Sequence, residues 1–357
     1  MESKIGYEKS ERTDVDNYRN GYYPERRINT DYGQMPVKVP RDRNNEIESD
    51  LLPKYSRNIN GFEDKVIKMY GLGMSDRQIQ EQIDELFGGK LSADMISDII
   101  DKIIPEIQDW QKRKLDKMYP VVFIDAIHFS VKDNGQVVKK AAYIILGVDM
   151  DGIKRVLSIV VGENESAKMW LTILNDLKNR GVQDILILCS DGLTGIKEAI
   201  GTAYPKTEYQ RCIVHQIRNS LKYVKHDNKK ELARDLKRVY SSSTAEQGFE
   251  VLLELEEKWG KKYPNAIRSW QDNWDSLSTL FQYSQELRIV MYTTNAIESL
   301  NSSYRRANRN RVVFPTNMSL LKTLYLATVN IEKKWTVRHK DWDIILSQLN
   351  ILYPDRM

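Results

Sequence analysis

The chain has 357 residues, more than one compact core usually holds, so two or three domains are expected. Apolar residues make up 41% and charged residues 29%, and no window approaches the roughly eighteen unbroken apolar residues of a membrane span. With 54 basic against 50 acidic residues the net charge of +4 is too small to prove nucleic-acid binding, and two cysteines exclude a disulfide framework and suit a reducing cytoplasm.

Residues 1–58 read as a basic and polar arm, rich in Arg, Asn, Asp, Tyr and Pro, with no helical period. Its first residues are too polar for a signal or transit peptide. Met35 to Arg43 alternates apolar and basic side chains, as in a short exposed strand, and Pro36 and Pro40 exclude a central one.

Residues 59–118 turn helical. Phe62, Val66, Ile67, Met69 and Tyr70 have helix spacing, stopped by Gly71 and Gly73. Ser75 and Gln78 read as a capping box ahead of Ile79, Ile83, Leu86 and Phe87. Gly88 and Gly89 make a turn, and Ser92 caps a third helix carrying Met95, Ile96, Ile99, Ile100 and Ile103. Three short helices with a tight turn suit a helix-turn-helix-like DNA-binding region, and equally a generic three-helix bundle.

Residues 119–215 have strand texture. Val121 to Val131, the Asp133-Asn134-Gly135 turn, Ala141 to Val148, the Asp151-Gly152 turn and Val156 to Val161 predict a three-stranded antiparallel meander. A helix from Ser166 to Arg180, a strand from Ile185 to Cys189, a helix from Leu193 to Ile200 and a strand from Glu208 to Val214 follow. This order predicts an α/β fold, a ribonuclease-H-like core with a mixed five-stranded sheet. Residues 216–290, charged and studded with tryptophans, read as an all-helical insertion, and 291–357 as the second part of the core. That part holds a helix from Ile297 to Arg311 and another from Thr316 to Trp335.

Three carboxylates stand out. Asp125 lies inside an apolar strand, where a carboxylate needs a compensating partner, a metal ion or a buried arginine. Asp191 follows the strand at Cys189, where open α/β sheets carry functional groups; its plain alternative is a helix cap. The expected strand order makes these two neighbours, and paired carboxylates call for a hard cation such as Mg²⁺ or Mn²⁺. Glu298 shares a helix face with Asn301, Ser302 and Arg305, offering a carboxylate to metal, an amide to substrate and a guanidinium to phosphate. Its alternative is a first-turn acid favoured by the helix dipole. Glu286, Glu163 and Glu165 are weaker candidates.

Basic clusters at Arg305, Arg306, Arg309 and Arg311, and at Lys222, Lys225, Lys229 and Lys230, suit a phosphate footprint or a solvated face. Cys212 and His215 have half the spacing of a zinc site but no second pair to complete it. Trp270 and Trp274 suit core packing better than base stacking.

The segments Phe123 to Ala126, Cys189 to Leu193, Gln210 to Asn219 and Thr294 to Asn301 together resemble the Mutator-type family of bacterial insertion-sequence transposases, from about Asn17 to Trp335. The resemblance implies an Asp-Asp-Glu transposase in which Asp125, Asp191 and Glu298 bind two Mg²⁺ or Mn²⁺ ions. It places Cys212 and His215 in a family signature beside the active site, with His215 positioning DNA or the core rather than binding metal. Asn301, Arg305, Arg306 and Arg309 are expected at DNA, and Arg211 and Arg218 either reach phosphates or are plain surface residues. The implied partners are transposon terminal inverted repeats, target DNA and at least one further copy of the chain, in a nucleoid-associated cytoplasmic setting. The alternative is a catalytically idle, DNA-binding repressor. Two departures stand out: the chain starts several dozen residues late, as if shortened at its amino terminus, and Ala126 and His128 replace the residues usual beside the first Asp.

Overall fold

A computed structural model describes residues 18–30, 33–44, 61–87, 91–162, 165–292, 295–309 and 311–357. The turn expected at Gly88 and Gly89, Glu163 and most of the first 60 residues lie outside that set. The chain divides into two compact units, Met1–Ile107 with Ala307–Val312, and Gln108–Arg306 with Val313–Met357.

In the first unit the arm forms two small antiparallel pairs. Strand β1 (Arg19–Tyr22) pairs with β4 (Pro40–Asp42), and β2 (Arg26–Thr30) with β3 (Gly33–Val37). Pro36 sits opposite Arg27 in a strand with one neighbour, which tolerates its missing N–H. Helices α1 (Phe62–Gly71), α2 (Asp76–Phe87) and α3 (Ala93–Asp101) follow, with Phe62, Val66, Tyr70, Ile79, Ile83, Ile96, Ile99 and Ile100 buried. The capping box at α2 is reciprocal: Gln78 N–H donates to Ser75 Oγ and Ser75 N–H to Gln78 Oε1. Ser92 Oγ caps α3 by accepting from Met95 N–H. Arg311 stacks on the Tyr70 ring, its carbon 3.7 Å from the centroid, and donates to the Met74 carbonyl. It is therefore built into this unit's packing.

The second unit begins within α4 (Ile104–Lys112) and centres on a sheet of β5 (Met118–Asp133), β6 (Gln136–Val148), β7 (Lys154–Gly162), β8 (Asp184–Ser190) and β9 (Glu208–Arg211). The order is β7-β6-β5-β8-β9, so the sheet is mixed: β5, β6 and β7 run antiparallel, while β5, β8 and β9 run parallel. The β5–β6 turn forms as its residues demand, with Asn134 and Gly135 both at positive φ, 48° and 80°. Helices α5 (Ala167–Asn179) and α6 (Ile196–Ala203) cover one face. Trp170, Leu174 and Leu177 of α5 and Ala199 and Ile200 of α6 share a buried core with Val122, Ile124, Tyr143 and Leu188. Because strand side chains alternate, Asp125 points to the opposite face from Ile124.

Several boundaries differ from expectation: the helix expected from Ile297 to Arg311 ends at Ala307, the one expected from Leu193 to Ile200 runs Ile196–Ala203, and the last strand is shorter. β9 ends at Arg211, three residues before Val214, and helix α7 (Ile213–Lys222) starts at once. The apolar Ile213 and Val214 read as strand, but Ile213, Gln216 and Ser220 form the buried stripe of a helix, and the Cys212 N–H still extends the β8–β9 ladder by donating to Ser190 O at 2.8 Å. Helices α8 (His226–Tyr240), α9 (Ala245–Trp259), α10 (Pro264–Asp272), α11 (Trp274–Leu277) and α12 (Gln285–Tyr292) complete a wholly helical stretch. Trp270 is fully buried there and donates from Nε1 to Ser220 Oγ at 2.9 Å, so it serves the core. Trp274 packs against Phe249 and Phe281.

Helix α13 (Asn295–Ala307) buries Ile297, Leu300, Asn301 and Tyr304. The Tyr304 hydroxyl lies 2.6 Å from that of Thr328 on α14 (Asn317–Glu332), which packs along β7. This bond fixes the rotation of α13 about its own axis. The final helix, α15 (Trp342–Leu352), is followed by Arg356, whose guanidinium donates to both Asp184 oxygens and to the carbonyls of Lys206 and Ile185. None of the described helices is long and apolar enough to cross a membrane.

Candidate active site

The parallel register pairs Phe123 with Cys189 and Ile124 with Ser190. One step further places Asp191, just past the end of β8, beside Asp125 in β5. Both carboxylates line one cleft, together with Cys189, Cys212, His215 and Ile297.

Asp125 is 8% exposed. Burial pushes its carboxyl above the ordinary range, and the neighbouring Asp191 adds to this; His215, the Ala126 N–H and Arg305 act the other way. Both of its oxygens are engaged: Oδ1 accepts from Ala126 N–H at 2.8 Å and Oδ2 from Asn301 Nδ2 at 2.6 Å. Asn301, expected at DNA, is instead buried against this carboxylate.

Asp191 Oδ1 accepts from the Gly192 N–H at 2.7 Å. Its carbonyl accepts from Ser190 Oγ at 2.8 Å and from the Tyr209 hydroxyl at 3.3 Å, which fixes the turn after β8. A side chain at Gly192 would overlap the Arg211 guanidinium, so this glycine lets Arg211 lie across the turn. Arg211 Nε donates to Gln216 Oε1 at 3.1 Å, and Gln216 Nε2 donates to Ser269 O at 2.9 Å. A polar chain thus runs from beside Asp191 into the helical stretch.

His215 stands on the first turn of α7, its Nδ1 buried without a hydrogen-bond partner among the described residues. Burial raises both thiols, that of Cys212 to about 12, so neither is a nucleophile at neutral pH.

Glu298 lies one turn before Asn301 on α13 but does not line the cleft; it forms an ion pair with Arg218 of α7. Among the described residues no three His, Cys, Asp or Glu side chains gather closely enough to hold a metal ion. The structure therefore brings Asp125 and Asp191 together, with His215 and Asn301 beside them. Arg305 and Arg306 are exposed at the end of α13, and Arg309 is exposed in the first unit. Glu165 is occupied at the α6 approach, accepting from Thr194 N–H at 3.3 Å.

Tyr209, Ser190 and Gln216 escaped the sequence reading. Each acts through a bond to a residue distant in sequence or to backbone, which no spacing pattern encodes. Gly192, directly after Asp191, was the one visible sign of a close approach.

Residues 1–338 match the family model described as "Transposase, Mutator family". The chain belongs to that family. It is 40% identical over 341 residues to the transposase for insertion sequence element ISRM3 of Rhizobium meliloti (strain 1021), covering 95% of this chain and 85% of that one. It is 38% identical over 338 residues to a probable insertion-sequence transposase of Corynebacterium diphtheriae, covering 89% of this chain and 98% of that one. Over 322 residues it is 28% identical to the transposase for IS256 in transposon Tn4001 of Staphylococcus aureus, covering 89% and 82%. In this Mutator-family chain the segments that carried the resemblance meet in space: Asp125, Asp191, His215 and Asn301 all bear on one cleft or on its central carboxylate.

Proposed function

We propose that this chain is an Asp-Asp-Glu transposase that cuts and joins DNA strands at the ends of an insertion sequence. The observation that carries the reading is the pairing of Asp125 and Asp191 in one cleft, within a chain of a transposase family. The strand order supports a ribonuclease-H-like core, three antiparallel strands followed by two parallel ones. The helices between β9 and α13 then constitute an insertion ahead of Glu298.

The carboxylate pair suits a hard cation, because burial and mutual repulsion already disfavour its charged state and a cation relieves both. Asp125 and Asp191 would hold one Mg²⁺ or Mn²⁺, with Glu298 completing a two-ion site. Such ions acidify an attacking water or 3′-hydroxyl and stabilise the leaving oxygen. Asn301 orients Asp125 by its hydrogen bond, and Ile297 limits water beside the pair. Arg211, Arg218, Arg305, Arg306 and Arg309, with His215, are the groups assigned to DNA phosphates. The partners are transposon ends and target DNA. Holding two ends at once calls for at least two copies of the chain, at the nucleoid of the cytoplasm.

The test is an assay of the purified chain on labelled insertion-sequence ends with Mn²⁺. Nicking and strand joining, abolished by Asp191→Asn while DNA binding persists, are the expected result. Equal cleavage by wild type and variant would overturn the reading.

A further inference from the structure

Glu298 and Arg218 come from distant parts of the chain and meet outside the cleft that holds the other two carboxylates. Ile297, the preceding residue of α13, lines that cleft, and Asn301, one turn later, already reaches Asp125. Residues three apart share a helix face, so Glu298 stands beside the cleft and is turned from it at the side-chain level. The Tyr304–Thr328 bond holds α13 itself in place. A side-chain rotation, with no movement of the helix, is then the change that separates the paired state from a completed triad.

We propose that Arg218 is a positioning residue that holds Glu298 away from Asp125 and Asp191 until a DNA phosphate takes the guanidinium, so that the third carboxylate joins the site only when DNA is present. The inference rests on the transposase reading above. Three carboxylates brought together without a cation repel one another. In this arrangement Asn301 engages one and Arg218 another, which removes much of that repulsion. A guanidinium binds carboxylate and phosphate with the same planar fork, so a phosphodiester is a direct competitor for Arg218. The exchange is open to DNA: the Arg218 side chain is 55% exposed and that of Glu298 23%. Lys222, one turn further along α7, is exposed and spends its ammonium on its own helix neighbour Asn219, at 2.7 Å. A backbone arriving along α7 thus meets two cations before it reaches the carboxylates.

The full chain is titrated with Mn²⁺ by calorimetry, with and without a short DNA duplex of arbitrary sequence, as wild type, Arg218→Gln, Arg218→Lys and Arg218→Gln/Glu298→Gln. The duplex is expected to tighten Mn²⁺ binding by wild type. Arg218→Gln is expected to bind Mn²⁺ about fivefold tighter than wild type without DNA, the release expected of a partly exposed ion pair. DNA should add nothing further to that variant, and the double variant should lose the gain. Arg218→Lys, which keeps the charge without the fork, should lie between and serves if the Gln variant melts early. DNA-dependent tightening in wild type with no change in Arg218→Gln would overturn the holding role and leave the transposase reading standing. No Mn²⁺ binding by any form, with or without DNA, would sink both.

Discussion

Asn301 Nδ2 donates to Asp125 Oδ2 across 2.6 Å, joining helix α13 to the central strand of the sheet. The bond orients a buried carboxylate and at the same time positions the helix that carries Glu298.

Replacing Asn301 with Leu removes the donor and leaves Asp125 Oδ2 buried without a partner. The expected loss is about 1–3 kcal/mol of unfolding free energy at pH 7, read by urea denaturation. Asn301→Asp should cost more at pH 7 than at pH 4, because it sets a second carboxylate against the first. Equal stability of wild type and Asn301→Leu would show that the bond does not hold Asp125.

The raised Asp125 group gives stability a pH dependence of defined sign. Burial lifts its folded-state pKa above the ordinary 3.8, so the folded state binds this proton more tightly than the unfolded one. The contribution is fully present below pH 3.8 and is lost as pH rises through the folded value. Asp125→Asn is therefore expected to melt at a higher temperature than wild type at pH 7, the advantage shrinking as pH falls toward 3.8. A constant difference across that range would contradict the assignment. Saturating Mg²⁺ should narrow the gap at pH 7 by stabilising wild type alone.

Gly192→Ala would displace the Arg211 guanidinium, which is the far end of a flexible side chain. Stability should fall by about 1–3 kcal/mol, since the displaced guanidinium leaves the buried Gln216 Oε1 without its donor. DNA affinity should fall and its salt dependence should flatten by about one phosphate contact. Unchanged affinity and slope would remove Arg211 from the DNA surface.

Trp270 tests the opposite expectation. Trp270→Ala should cost about 3–5 kcal/mol by opening a cavity, whereas Trp270→Phe should lose the Ser220 bond, leave a smaller cavity at a lower cost, and keep DNA cleavage. Loss of cleavage by the Phe variant at full stability would favour a base-stacking role.

Local chemistry made much of the fold legible. The Asn134-Gly135 turn, the Ser75–Gln78 box and the Ser92 cap are short-range devices, and the structure carries each of them. The five-strand order followed because turn lengths and a single apolar strand at Ile185 leave few ways to pair. What stayed hidden depends on tertiary choice. Ile213 and Val214 have strand composition, and only the burial of Ile213, Gln216 and Ser220 along one stripe makes them helix. The strand pairs of the arm depend on partners too polar to announce themselves. At the site, the adjacency of Asp125 and Asp191 could be read from strand order. The engagement of Asn301 with Asp125 and of Arg218 with Glu298 could not, because amides and arginines have many acceptable partners and the sequence does not rank them.

In the proposed transposase, Asp125, Asp191 and Glu298 act together on a DNA phosphate. The most direct test is single-turnover strand joining from a pre-cut transposon end with Mn²⁺, comparing wild type with Asp125→Asn, Asp191→Asn and Glu298→Gln, each shown to bind the same DNA. Joining by wild type and its loss in all three variants are the expected result. Joining by Glu298→Gln at the wild-type rate would contradict it and leave Glu298 as an ion-pair partner of Arg218.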